Sequence, residues 1–437
     1  MVAALASIAL ACAGGTTIEV GLQLREVKGL ELSSVPFNMM NTAMLGGYDP
    51  YSGMMSKPKG YEIPKGTVTP MFARIGFNEK LENFVALLGR SSSAAMSFDR
   101  LWVDWNRDKA FSDDEAIPPE TDGHQMNADV VCFGPTQVPP GKGRPAKICF
   151  LLERQFALRV LPTEVMEGSM GLGGKQIRIA LVDGNLDGAY DSPCSEYAGG
   201  DYILIDQNGD GKFSGSSDGR YMGLWSDQSP ESEARMLQTY AQLPDGNFYK
   251  VQVGPKAEKV SFSRDPGSEG RLAGLAPGSH VSLRLRTGDG QGERDMMVQM
   301  VMERGIPAGA YETVQAKVGK DGLRLPAGKY FLSSASFSAL DKSGKPWRYT
   351  VARSAKVKEL SIEPGKTVTY VAGSPMKLVV HARKSGQSYN VSLDLRDKAG
   401  SSVNDVRKPD GKMPAEPMLV IKNASGKVLK SLKFHYG

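Results

Sequence analysis

Residues 176–183, QIRIALVD, and 201–206, DYILID, decide the fold. Each is a short, mostly apolar run with β-branched residues, and each ends in an aspartate-rich turn, DGNLDG at 183–188 and DQNGDG at 206–211. Such runs, bounded by Gly, Asn and Asp, read as strands. The rhythm continues outward in both directions. From 67 to 257 it gives MFARIGF, ENFVALLG, DRLWVDW, ADVVCF, KICFLLE, FALRVLP and FYKVQV. From 258 to 375 it gives KVSFSR, HVSLRLRT, DMMVQMVME, YETVQAKV, KYFLSSASFSAL, WRYTVAR and ELSIEPGKTVTYVAG. The expected fold class is mostly β and multidomain, with antiparallel β-sandwich modules and few short helices. One helix is expected, over SPESEARMLQTYAQL at 229–243, which opens on Ser-Pro with acids in its first turn. The stretch GSMGLGGKQ at 168–176 reads as a flexible turn; it misses the phosphate-loop spacing, and no helical pattern follows it.

These runs divide the chain. Residues 1–13 resemble a leader. Residues 14–66 hold an N-terminal strand and an irregular Met/Gly/Tyr-rich arm. Residues 67–257 form a β-rich domain, residues 258–375 a β-sandwich, and residues 376–437 a small second sandwich or the completing strands of the first.

Three turns share one pattern of oxygen-bearing side chains. The first carries Asp104, Asn106, Asp108 and Glu115; the second Asp183, Asn185, Asp187 and Asp191; the third Asp206, Asn208 and Asp210. Oxygens at positions 1, 3 and 5 of a tight loop suit Ca2+, a hard cation that takes six to eight oxygen ligands. Gly188 and Gly211 stand at position 6, where an EF-hand loop turns sharply, and an aromatic stands at position 8 of each loop. Lys109 replaces that glycine in the first loop, and Cys194 and Ser217 hold position 12 in the other two. Each loop follows a strand-like run, so the expectation is EF-hand-like strand–loop calcium sites and not paired EF-hands. Ordinary Asx-turns are the plainer alternative.

These loops, together with LPAGKYFL at 325–332, IEPGKTVTYVAGSP at 362–375 and the closing ASGKVLKSLKFHYG, resemble uncharacterised exported bacterial β-rich proteins. LPAGKYFL also resembles the carboxypeptidase-regulatory and transthyretin-like sandwich modules. The resemblance implies architecture and export and adds nothing about chemistry.

Compartment and partners follow from the rest of the chain. The run VAALASIALACA at 2–13 has the length of a signal-peptide core and ends in small residues, although no basic residue precedes it. An exported protein is expected, in periplasm, at the cell surface or outside the cell. Cys12 leaves a lipoprotein as a lesser option. No segment is apolar for long enough to cross a bilayer as a helix. Residues 246–437 carry 32 Lys and Arg against 17 Asp and Glu; subtraction from the totals of 53 and 48 leaves 21 against 31 in residues 1–245. The acidic half is the half with the loops. Cys132 and Cys149 lie on two neighbouring strand-like runs and suit either a disulfide or two buried thiols.

No catalytic signature emerges. His124, His280, His381 and His435 lie far apart, and no nucleophile elbow is present. Trp102 and Trp105 take opposite faces if their strand continues that far, so one of them points to a binding surface unless both faces are buried. The reading is therefore a calcium-stabilised protein with a structural or binding role at the cell envelope. Its partner would be an envelope protein or a polysaccharide, or further copies of the chain; no nucleic-acid partner is expected. The alternatives are a secreted hydrolase of polysaccharide or peptide, with its acids among the loops, and a filament or surface-layer subunit.

Overall fold

The structure, a computed structural model, describes residues 9–12, 15–27, 42–44, 58–77, 82–95, 97–111, 115–119, 130–138, 147–153, 157–184, 186, 188–190, 201–213, 233–288, 310–341, 343–352, 359–373, 375–386 and 388–434. Regular structure among them is β-strand apart from one 3-10 turn at Pro266–Ser268. The strands of the first part are β1 Ala9–Cys12, β2 Gly15–Gly21, β3 Gln23–Glu26, β4 Thr42–Met44, β5 Val68–Phe77, β6 Glu82–Arg90, β7 Arg100–Val103, β8 Val130–Gln137, β9 Lys147–Glu153 and β10 Ala157–Pro162. There follow β11 Glu164–Leu172, β12 Lys175–Val182, β13 Tyr202–Ile205, β14 Ala234–Met236, β15 Tyr240–Gln242, β16 Phe248–Val253 and β17 Lys259–Arg264. The second part holds β18 Glu269–Ala273, β19 His280–Gly288, β20 Ala310–Lys317, β21 Leu323–Pro326, β22 Gly328–Leu340, β23 Pro346–Ala352, β24 Leu360–Ile362 and β25 Thr367–Thr369. The last strands are β26 Lys377–Ser385, β27 Ser388–Arg396, β28 Val403–Arg407, β29 Met418–Lys422 and β30 Val428–Lys433.

The first part is a stack of four sheets, and strand periodicity explains why. In β12, Ile177, Ile179 and Leu181 enter one core, shared with Ile18 and Val20 of β2 and Val260 and Phe262 of β17. The alternate residues Ala180 and Val182 enter another, shared with Cys149 and Leu151 of β9. The other face of β9 offers Ile148, Phe150 and Leu152 to a third core, with Ala86 and Leu88 of β6. A fourth cluster covers the far face of β6 and β7 through Leu87 and Trp102. The sheets β1-β2-β17-β16-β15, β14-β13-β12-β11-β3, β4-β10-β9-β8 and β5-β6-β7 thus lie in that order, and the middle two are buried on both faces. That is why IALV and YILI are unbroken apolar runs and do not alternate. The β16–β17 hairpin spans residues 254–258 within one sheet.

The second part is a sandwich. The sheet β20-β19-β22-β23-β28, with β24 on β22, faces the sheet β21-β18-β25 across a core of Val281, Leu283, Tyr330, Phe337, Leu272 and Leu325. The PAG turn is explained by Tyr330. Its buried hydroxyl donates to the Pro326 carbonyl at 2.9 Å, closing the corner between β21 and β22. Burial first, then the nearby Tyr240 and Glu312, pushes this phenol's pKa up. The hairpins β26–β27 and β29–β30 pair with no further strand among the described residues.

Two expectations change, and the choice left open for the cysteines falls to free thiols. Residues 233–243 are not helical: Ala234, Arg235 and Met236 pair with Leu204, Ile203 and Tyr202, and Leu237, Ala241 and Leu243 enter the β2–β17 core. Backbone pairing along β13 outweighs a helical pattern of side chains; residues 229–232 lie outside the described residues. The GSMGL stretch is the end of β11, and only Gly173 and Gly174, both at positive φ, make the turn into β12. Cys132 and Cys149 form no disulfide. Cys132 pairs with Leu151, so Cys149 sits diagonally, two rungs along. Diagonal neighbours lie about 7–8 Å apart, beyond disulfide reach.

Both tryptophans of the first loop are packed. Trp102 lies against Phe111 and Leu87, while β7 ends at Val103 and Trp105 packs edge-on against Phe84 at 5.1 Å. The strand ends before Trp105, and the two rings pack into different clusters, so neither points to a binding surface. Trp225, Cys194 and the DMMVQMVME run lie outside the described residues. Among the described residues no helix is long and apolar enough to cross a membrane.

Candidate metal centre

The three Asp/Asn loops are turns of one design. The position-1 aspartates Asp104, Asp183 and Asp206 are all buried, each just beyond a strand end. At position 4 the backbone is left-handed in every case: Arg107 at φ 64°, Leu186 at 58°, Gly209 at 72°. At position 6 it is left-handed again: Lys109 at 71°, Gly188 at 83°, Gly211 at 79°. Lys109 therefore departs from the glycine pattern in composition only. A bulky residue in this region costs about 1–2 kcal/mol, so the surrounding fold imposes the conformation.

Loops 1 and 3 repeat the same hydrogen bonds. The amide N–H of Asp108 donates to Asn106 Oδ1 at 3.1 Å, and that of Asp210 donates to Asn208 Oδ1 at 2.7 Å. Asp108 Oδ1 accepts from Ala110 N at 2.7 Å, and Asp210 Oδ1 accepts from Lys212 N at 2.8 Å. The asparagine amide donates to the position-5 carboxylate at 3.1 and 3.2 Å. The position-8 aromatic anchors each loop: Phe111 is fully buried against Phe72 and Trp102, Tyr190 enters the β2–β17 core, and Phe213 packs on the Cys149 core under the Arg178 guanidinium.

The loops differ at position 1. Asp206 accepts from the N–H groups of Gly209 at 2.7 Å, Asp210 at 3.1 Å and Gly211 at 2.9 Å. Asp183 accepts from Gly188 N at 2.8 Å. Asp104 is 1% exposed, and neither of its carboxylate oxygens has a hydrogen-bond partner. A buried carboxylate without hydrogen bonds is costly, and a bound cation is one of the few things that removes the cost. Oxygen donors that suit Ca2+ stand at positions 1, 3 and 5 of the same loop. The bare carboxylate sets loop 1 apart from loop 3, whose Asp206 is held by three backbone N–H groups. Glu115, the expected position-12 ligand, is exposed. Asn185, Asp187 and Asp191 lie outside the described residues. Among the described residues no three His, Cys, Asp or Glu side chains are gathered closely enough to hold a metal by themselves.

Two acids that local sequence does not connect to the loops support them. Asp201, fully buried, accepts from Gly184 N in loop 2 at 3.2 Å. Glu233 accepts from Gln207 N at 2.8 Å and Asn208 N at 3.3 Å in loop 3. The signal was an acid at the start of a strand, but its partner lies across the sheet. Basic groups also attend loop 3: Lys175 Nζ donates to the Asn208 carbonyl at 3.2 Å, and Arg178 donates to that of Gly211. Register keeps the loops apart. Val182 pairs with Tyr202, so loop 2 leaves one end of the β12–β13 pair and loop 3 the other. Five residue steps along β13 separate Asp201 from Asp206, about 16 Å, so these two loops cannot share an ion.

No protein-family model matches this chain, and comparison with curated proteins and with solved structures gives no match either.

Proposed function

We propose that this chain is an exported β protein stabilised by calcium, with a structural or binding role at the cell envelope. The observation that carries the reading is the bare, buried carboxylate of Asp104 in a loop whose backbone repeats that of two further Asp/Asn loops. An ion held there ties the end of β7 to the 58–66 segment, because Glu62 N donates to the Lys109 carbonyl at 2.9 Å and Tyr61 packs on Phe111. Its role is to fix strand connections. The leader-like run at 2–13 supports export. Cleavage after Ala13 would remove β1 and leave β2 as the sheet edge.

The test is thermal unfolding of the full chain in excess calcium and in chelator, with Asp104→Ala alongside. Binding to the native state alone raises stability by about 2.7 kcal/mol when free calcium is 100 times Kd. The expected result is a higher midpoint in calcium for the wild type and a smaller rise for Asp104→Ala. Superimposed wild-type curves in calcium and chelator would sink the reading.

A further inference from the structure

The β29–β30 hairpin is a finger without a core. Every residue of its two strands is exposed except Leu419, which is half-buried. Met418, Val420, Ile421, Val428, Leu429 and Leu432 are all exposed large hydrophobics, Leu429 to 62%. Register distributes them over both faces. Leu419 pairs with Leu432 on one face, while Met418 and Val420 occupy the other; Leu429 falls at the shift in register. The turn is well made: Asn423 Oδ1 accepts from Lys427 N at 2.9 Å and from Ser425 Oγ at 2.7 Å, so the finger is preformed. An isolated two-stranded hairpin is marginal in water, and this one adds exposed apolar surface to that cost.

Charge narrows the occupant. Residues 418–434 carry Lys422, Lys427, Lys430 and Lys433 and no acid. Residues 376–437 carry twelve Lys and Arg against five Asp and Glu, a surplus of seven. A second copy docking symmetrically on the finger would set lysines against lysines. Bases would find only one aromatic, Phe434, to stack on in residues 418–434. A partner sheet would cover one face and leave the other wet. A medium that surrounds the finger and is anionic at its surface satisfies both faces and all four ammonium groups. We propose that the β29–β30 hairpin docks on anionic lipid surfaces, with its aliphatic side chains at the headgroup–acyl boundary and its lysine heads among the phosphates.

The experiment is co-sedimentation of the full chain with vesicles of phosphatidylglycerol and phosphatidylcholine, and with vesicles of phosphatidylcholine alone. Three proteins are compared: wild type, Leu429→Ser/Leu432→Ser, and Lys427→Gln/Lys430→Gln/Lys433→Gln. All substituted side chains are exposed, so equal melting curves are expected and confirm folding. The expected result is wild-type binding to the anionic vesicles at least tenfold tighter than to the neutral ones, weakened by salt, with at least a tenfold loss in each variant. Three outcomes overturn the proposal: no wild-type binding, equal binding by the Leu429→Ser/Leu432→Ser protein, or self-association of the wild type without vesicles that the same two substitutions abolish.

Discussion

Lys109 holds a backbone conformation that its side chain opposes, and that makes it informative. It sits at φ 71° where the two sister loops have Gly188 and Gly211, and its carbonyl accepts from Glu62 N. Lys109→Gly removes the clash between Cβ and backbone, but the more flexible unfolded chain offsets part of the gain. The expected net effect is stabilisation by about 0.5–1 kcal/mol, read from denaturant unfolding. A destabilised variant would mean that the lysine side chain itself supports the loop. At this scale the loops were legible in sequence because the alternation Asp104, Asn106, Asp108 is local. The difference that matters was not. Asp104 and Asp206 have the same neighbours in the pattern, yet three N–H groups reach Asp206 and none reaches Asp104. Hydrogen-bond satisfaction depends on how a loop closes, and residue types alone do not fix that.

At the scale of elements, most strands could be read because apolar runs between turn residues are a local signal. The β11 strand was hidden by its glycines. Gly168 reads as turn material, but in the structure it lies where β2 crosses: a Cβ built there would sit 2.2 Å from the Gly21 carbonyl oxygen and about 3 Å from Leu22 and Val20. The missing side chain is what lets β2 lie against β11. Gly168→Ala forces the two strands apart and is expected to cost about 1–3 kcal/mol, read as a lower midpoint in urea with an unchanged slope. A neutral effect would show that the crossing is loose. The helix expected at 229–243 failed for a related reason. Its pattern is helical in side chains, but β13 needs a neighbour for its backbone groups, and Ala234–Met236 supplies one. Only the three-dimensional sheet contains that demand.

Over the whole molecule, the four-sheet stack and the sandwich meet where Phe248 of β16 and Tyr240 of β15 pack into the sandwich core, beside a set of buried polar groups. Gln242, 2% exposed, donates through Nε2 to the Gly246 carbonyl at 3.0 Å and the Lys317 carbonyl at 3.2 Å, and its Oε1 accepts from Lys317 N at 2.7 Å. Beside it, Thr239 donates through Oγ1 and N to Glu312 at 2.6 and 3.0 Å. Arg235 donates to the Gln242 and Gln315 carbonyls at 3.4 and 3.3 Å, and burial lowers its pKa to about 10 against the raising effect of Glu233. Seams of this kind fix register between modules because buried polar groups must find their partners. Gln242→Ala leaves the Lys317 N–H without its side-chain acceptor at the join, a cost of about 1–3 kcal/mol for a buried group. The cost falls on the polar contact between the parts, while the apolar contact through Phe248 remains. Calorimetry is therefore expected to show one transition in the wild type and two in the variant, as the stack and the sandwich unfold separately. If the variant melts in one transition at a lower temperature, the two parts are held by their apolar contacts, and Gln242 contributes stability without coupling them.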